Sequence, residues 1–140
     1  MWRQIFGGAA SSRFHRPPSG LGLNEIVQAH LKSLRLWLAE YDIFTSQPDG
    51  DPGYVAGHKL LENREREEAY CNYREGEQYS VYFQDGGQVN LKVPRGRWQI
   101  RWLDILASEW QEATTMEADE SVELSTPGNG HWLALITRVD

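Results

Sequence analysis

Thiols are almost missing from this 140-residue chain: Cys71 is its one cysteine. No intramolecular disulfide and no cysteine-based zinc cage can therefore form. Long apolar runs are missing too, and no stretch approaches the ~18 apolar residues of a membrane span. The opening MWRQIFGGAASSRFHRPP lacks the apolar core of a secretory signal. The chain therefore reads as soluble, with no membrane partner and cytoplasmic as it stands, unless an export signal lies upstream on a longer parent. Length sets another bound. A (β/α)₈ barrel needs roughly 200 residues or more, whereas one compact domain fits easily. Hydrophobic content of 40% and charged content of 24% sit near globular averages and speak against wholesale disorder.

Positive charge is in deficit, with 14 Lys and Arg against 20 Asp and Glu. Residues 1–36 hold five basic residues and one acidic, a balance of +4, and residues 37–140 hold nine against nineteen, a balance of −10. An acidic, strand-rich part repels phosphate, so no nucleic-acid partner is expected.

Catalytic signatures are scarce. His15, His30, His58 and His131 show neither the i,i+4 nor the HxH spacing of a metal site. His30 is placed away from the main apolar stripe of its helix, and His131 opens a strand after a turn. No G-x-S-x-G elbow supports a Ser-His-Asp triad. A glycosidase pair needs two carboxyls about 5–9 Å apart across a cleft, one with a raised pKa. Glu62, Glu65, Glu67 and Glu68 instead share one charged run, and Glu117, Asp119 and Glu120 lie near a turn. Both groups read as solvated surface. No catalytic residue, metal or cofactor is assigned.

Alternation is what the chain does have. Residues 2–23 are rich in Gly, Ser and Pro and read as a loop. Asn24 to Tyr41 reads as one amphipathic helix, with Asn24 as N-cap and Glu25 at the positive end of the dipole. Val27, Leu31, Leu34, Leu38 and Tyr41 form its apolar stripe, widened by Ile26, Leu36 and Trp37. Residues 45–57, with Pro48 and Pro52, read as a linker lacking a regular ladder, and HKLLENREREEAY after it as a solvated loop or short helical turn.

Strands then follow at Glu68–Arg74, Tyr79–Phe83 and Gln88–Val93, around Trp98–Trp102, near 109–116 and 121–126, and at Trp132–Val139. Tyr79, Val81 and Phe83 share one face of their strand, opposite Ser80 and Tyr82. Asp85-Gly86-Gly87 supplies positive φ for a tight turn. The last strand is apolar on both faces and so belongs in the middle of its sheet. The fold class is mainly β: an antiparallel β-sandwich preceded by an N-terminal loop and one amphipathic helix.

Two sets of residues are candidates for ligand contact. Arg13, His15 and Arg16 gather basic groups beside Phe14 after a Gly- and Ala-rich stretch, a composition suited to an anionic or hydroxyl-rich ligand or simply to a solvated loop. Tyr82 and Trp110 are less clearly inward than Trp98 and Trp102, and are the better surface aromatics for stacking on sugar rings or extended peptides.

The stretch YSVYFQDGGQVNLKVPRGRWQIRWLDILASEW, with the closing PGNGHWLALI, resembles the C-terminal β-sandwich known as the collagen-binding domain of a collagenase, which follows an apiosidase-like glycoside-hydrolase barrel. The matching elements are YSVYF with Gly86-Gly87, WQIRWLD at 98–104, Glu109-Trp110, and residues 127–136. WRQIFGGAASSRFHRP and the helix bearing HLKSLRLWL resemble the final barrel strand, loop and helix of such enzymes. The resemblance implies residues 1–57 as the end of a barrel and residues 68–140 as the C-terminal sandwich. It also implies a non-catalytic accessory domain, packing on a catalytic barrel or binding carbohydrate. The alternative is an independent binding module for collagen or another matrix polymer. The barrel strands that carry the family's catalytic carboxylates lie outside this sequence, so the chain alone is expected to have no glycosidase activity.

Overall fold

The structure, a computed structural model, describes residues 2–6, 24–49, 59–64 and 68–140. Among these residues two helices, α1 (Trp2–Phe6) and α2 (Glu25–Glu40), precede a short 3₁₀ turn at Ile43–Thr45. Ten strands follow: β1 (Gln47–Pro48), β2 (Leu61–Glu62), β3 (Ala69–Arg74), β4 (Gln78–Phe83), β5 (Gln88–Lys92), β6 (Gly96–Asp104), β7 (Glu109–Trp110), β8 (Thr114–Ala118), β9 (Ser121–Ser125) and β10 (Trp132–Arg138). Among the described residues every strand pairing is antiparallel. The larger sheet runs β1-β3-β4-β10-β6-β7, with β8 also on β6, and the smaller runs β2-β5-β9.

The expected sandwich is present, and its core follows from the period-2 pattern. Tyr79, Val81 and Phe83 of β4, Trp98 and Ile100 of β6, and Ala134 and Ile136 of β10 face Val89, Leu91, Val122 and Leu124 of the smaller sheet. Trp98 is fully buried and Trp102 packs partly buried against the same core. The smaller sheet turns Gln88, Lys92, Ser121, Glu123 and Ser125 outward to solvent. β10 lies between β4 and β6, in keeping with its apolar side chains on both faces.

The opposite face of the larger sheet is also covered. Trp2 and Phe6 of α1, and Trp37 and Tyr41 of α2 and its C-cap, bury Tyr82, Leu103, Leu133 and Leu135 in a second core. Every residue of β4 is consequently buried, including the positions its alternation assigns to the outer face. The molecule is a three-layer stack of helices, large sheet and small sheet.

α2 starts where its cap residue dictates: the Asn24 side chain accepts the Val27 N–H at 2.8 Å. Its buried line is Ser33, Trp37 and Tyr41. Of the expected stripe, Leu38 is instead 42% exposed, and the flanking Ile26 is 62% exposed. The register follows the indole, because Trp37 buries more apolar area than any leucine on the other flank. Four local differences go beyond the sequence expectation. Leu61–Glu62, within a stretch read as a solvated loop or short helical turn, is strand β2, because Leu61 buries itself in the sandwich core opposite Leu91. Trp2–Phe6 is helical, where a barrel strand was expected. Pro48 joins a two-residue pairing with β3 at the sheet edge, a position where its missing N–H is tolerated. The single strand near 109–116 is two, β7 and β8.

Candidate functional site

Arg13, His15 and Arg16 lie outside the described residues. The other two candidates, Tyr82 and Trp110, both border the helix-covered core. Tyr82 is not the surface aromatic its alternation suggested. It is 3% exposed, with Trp2 stacked on it at a centroid distance of 5.7 Å and Phe6 tilted against it at 6.0 Å. Burial pushes its phenol above the ordinary tyrosine range. The alternation was read correctly; what covers that face came from α1 and α2. Trp110 is half-buried, and the Arg101 guanidinium sits over its ring at 4.3 Å. Arg101 also reaches Glu40 of α2 at 3.5 Å, so one face of this indole already carries a cation held by the helix.

The polar chemistry between helices and sheet is dense and mutually satisfied. Trp37 Nε1 donates to Ser80 Oγ at 2.8 Å. The Tyr41 hydroxyl donates to Asn72 Oδ1 at 2.7 Å, and Asn72 Nδ2 donates to the Phe6 carbonyl at 3.2 Å. Ser33 Oγ donates to the Ile105 carbonyl at 2.6 Å and lies 3.0 Å from Ser108 Oγ. Buried hydroxyls and indoles need such partners, and here they fix the docking geometry of α2.

A pair of histidines was missed by the sequence reading, which turned His30 away from the packed face. His30 of α2 and His131, just ahead of β10, meet edge to face with centroids 4.7 Å apart. Trp2 Nε1 donates to His30 Nδ1 at 2.9 Å, and Tyr82 Oη lies 2.8 Å from His131 Nδ1. Burial first, and then the neighbouring His131, lower the His30 pKa from 6.5 to about 4. Burial also lowers that of His131, with Asp85 opposing. Helical spacing gave no signal for this pair, because its partners come from four separate elements.

An open cavity of about 360 Å³ lies at the C-terminal end of α2, lined by Leu38, Glu40, Tyr41, Phe44, Arg74 and Gln78. Its carboxylates have structural duties: Glu40 pairs with Arg101, and Asp42 Oδ1 accepts the Phe44 N–H at 3.0 Å. Elsewhere Glu62 pairs with Lys92 at 3.3 Å, and Asp119 lies 3.9 Å from Arg95 on the exposed surface. Among the described residues no group of three or more His, Cys, Asp or Glu is placed to hold a metal ion.

No protein-family model matches this chain, and no curated protein matches it. Solved structures do. One described as a glycoside hydrolase superimposes with a TM-score of 0.58 at 14% identity, over 78% of this chain and 24% of its own. A glycoside hydrolase family 5 protein from Bacteroides vulgatus gives the same TM-score, identity and coverages, 0.58, 14%, 78% and 24%. The likeness is one of fold. This chain spans about a quarter, 24%, of the length of the solved chains it resembles. Both of these solved structures are described as glycoside hydrolases, and neither description names an apiosidase or a collagen-binding domain.

Proposed function

We propose that this chain is a non-catalytic accessory β-sandwich of a glycoside-hydrolase-type protein, and that it works by packing against the catalytic body. The observation that carries the reading is the match of 78% of this chain to 24% of much longer glycoside hydrolase chains. The side chains agree with a non-catalytic role, since the carboxylates Glu40 and Asp42 at the cavity beside the end of α2 hold a guanidinium and a backbone amide. The surface agrees with packing. Leu38 and Phe44, 42% and 95% exposed, border that cavity and present apolar area that a second body would cover. In the same reading residues 1–57 end the barrel, residues 68–140 form the accessory sandwich, and Arg13, His15 and Arg16 border the substrate cleft of the intact enzyme.

Sedimentation of the purified chain tests the idea. It is expected to self-associate, or to bind a catalytic barrel supplied in trans, and Phe44→Asp is expected to abolish either behaviour without loss of fold. A monodisperse monomer with no dye-accessible apolar patch overturns packing as the role. Saturable retention on glycans or collagen, lost in Trp110→Ala, overturns it in favour of an independent binding module.

A further inference from the structure

The contact between His30 and His131 ties both helices to the large sheet at one point: α1 through Trp2, α2 through His30, and the sheet through Tyr82 of β4 and His131 before β10. We propose that this pair is an acid-sensitive latch, holding α1 and α2 on the sheet at neutral pH and weakening that hold on mild acidification.

The proton positions follow from the donors. Indole Nε1 can only donate, so His30 Nδ1 must be the acceptor and its proton must sit on Nε2. Protonating His30 places a second N–H on Nδ1, pointing at the indole N–H. The acceptor is lost and two donors face each other. His131 behaves differently. Its partner is a hydroxyl, which accepts as readily as it donates, so an imidazolium there keeps its bond to Tyr82 with polarity reversed. His30 is therefore the trigger. His131 is the amplifier, because rings 4.7 Å apart make each charge oppose the other.

The surrounding charges set the balance. Asp85, on the turn after β4, favours the charged form of His131. Burial and the His131 ring oppose charge on His30. Arg3 of α1 stands over the Tyr70 ring of β3 at 5.3 Å and acts on Tyr82. Tyr82 itself stays neutral across the range considered.

The sign follows from linkage. The docked pKa of His30 is lowered from 6.5 to about 4. Its contribution to docking is complete above the free value, diminishes as pH falls through that window, and is lost once pH passes below the docked value. Between pH 7.5 and 5 the full shift corresponds to a loss of roughly 25-fold in the docking equilibrium; allowing for solvent screening of a half-exposed ring, about tenfold is expected.

Hydrogen exchange on the wild-type chain, corrected for intrinsic rates, reads this directly. Protection of α2 amides is expected to fall about tenfold from pH 7.5 to 5, while β5 and β9 amides in the far sheet hold constant. His30→Asn supplies an oxygen acceptor for the indole without a titrating group, and is expected to flatten the pH response. Unchanged α2 protection at pH 5, or an equal fall in His30→Asn, overturns the latch. Should that variant fail to fold, an NMR titration of wild-type His30 decides alone. A midpoint near 4 supports the latch, and one near the free value of about 6.5 overturns it.

Discussion

Replacing Trp37 by alanine asks whether α2 is a structural layer of this fold or a loosely attached appendage. Trp37 is 0% exposed and lies between Phe6 and Tyr41 at centroid distances of 5.0 and 5.1 Å, with interplanar angles of 12° and 14°. Its indole N–H is held by Ser80 at 2.8 Å. Removing a buried tryptophan costs about 3–5 kcal/mol, the lost transfer energy and the residual cavity together. The present site belongs near the upper end, because the rings on both sides sit on different helical segments and cannot both collapse inward. Trp37→Phe keeps an aromatic ring in the stack but deletes both the donor to Ser80 and the volume of the second indole ring. That change is expected to cost about 2–3 kcal/mol, a lost hydrogen bond plus a partial cavity, and less than Trp37→Ala. Urea unfolding followed by far-ultraviolet circular dichroism and by tryptophan fluorescence measures both variants. A domain of this size carries only about 5–15 kcal/mol in total, so Trp37→Ala is expected to shift the whole transition, with helix and sheet signals moving together. A cost below about 1 kcal/mol, or helix loss in a separate transition that leaves the sheet midpoint unmoved, refutes a shared core.

Two further tests concern the sandwich itself. Gly86 has φ of 68° and a Cβ placed there meets the Gly128 carbonyl at 2.9 Å, whereas Gly76 has φ of 75° and open space around it. Gly86→Ala is therefore expected to lower stability by more than Gly76→Ala, whose cost is the left-handed penalty of roughly 1–2 kcal/mol alone; equal costs in thermal or urea unfolding would show that the close approach is unimportant. Cys71 is 2% exposed and burial pushes its thiol well above the ordinary range. Alkylation at pH 8 is expected only after denaturant is added, and rapid labelling of the native chain would contradict the packing of β3.

The sandwich was readable because its signal is local. In β5 the order Gln88, Val89, Asn90, Leu91, Lys92 announces one dry and one wet face, and the smaller sheet has both. β10 announced itself by lacking a wet face. The same rule misled at Tyr82, where alternation gives the side of the sheet but not what lies beyond it. The covering residues Trp2 and Trp37 stand far away in sequence, and α2 turned to bury the indole rather than its leucine flank. His30 was misplaced for that reason, since its neighbours depend on which flank wins. Of the candidate contact residues, Trp110 is half-buried against the helix-covered core, and both that packing and its Arg101 cover depend on the β6–β7 pairing.

The position of β10 has a consequence for synthesis. Until residues 132–138 have left the ribosome, β1-β3-β4 and β6-β7-β8 are two half-sheets with no strand between them. The nascent chain must keep both open edges from pairing wrongly while it waits. Closure by so distant a segment makes slow, late completion the natural order of assembly.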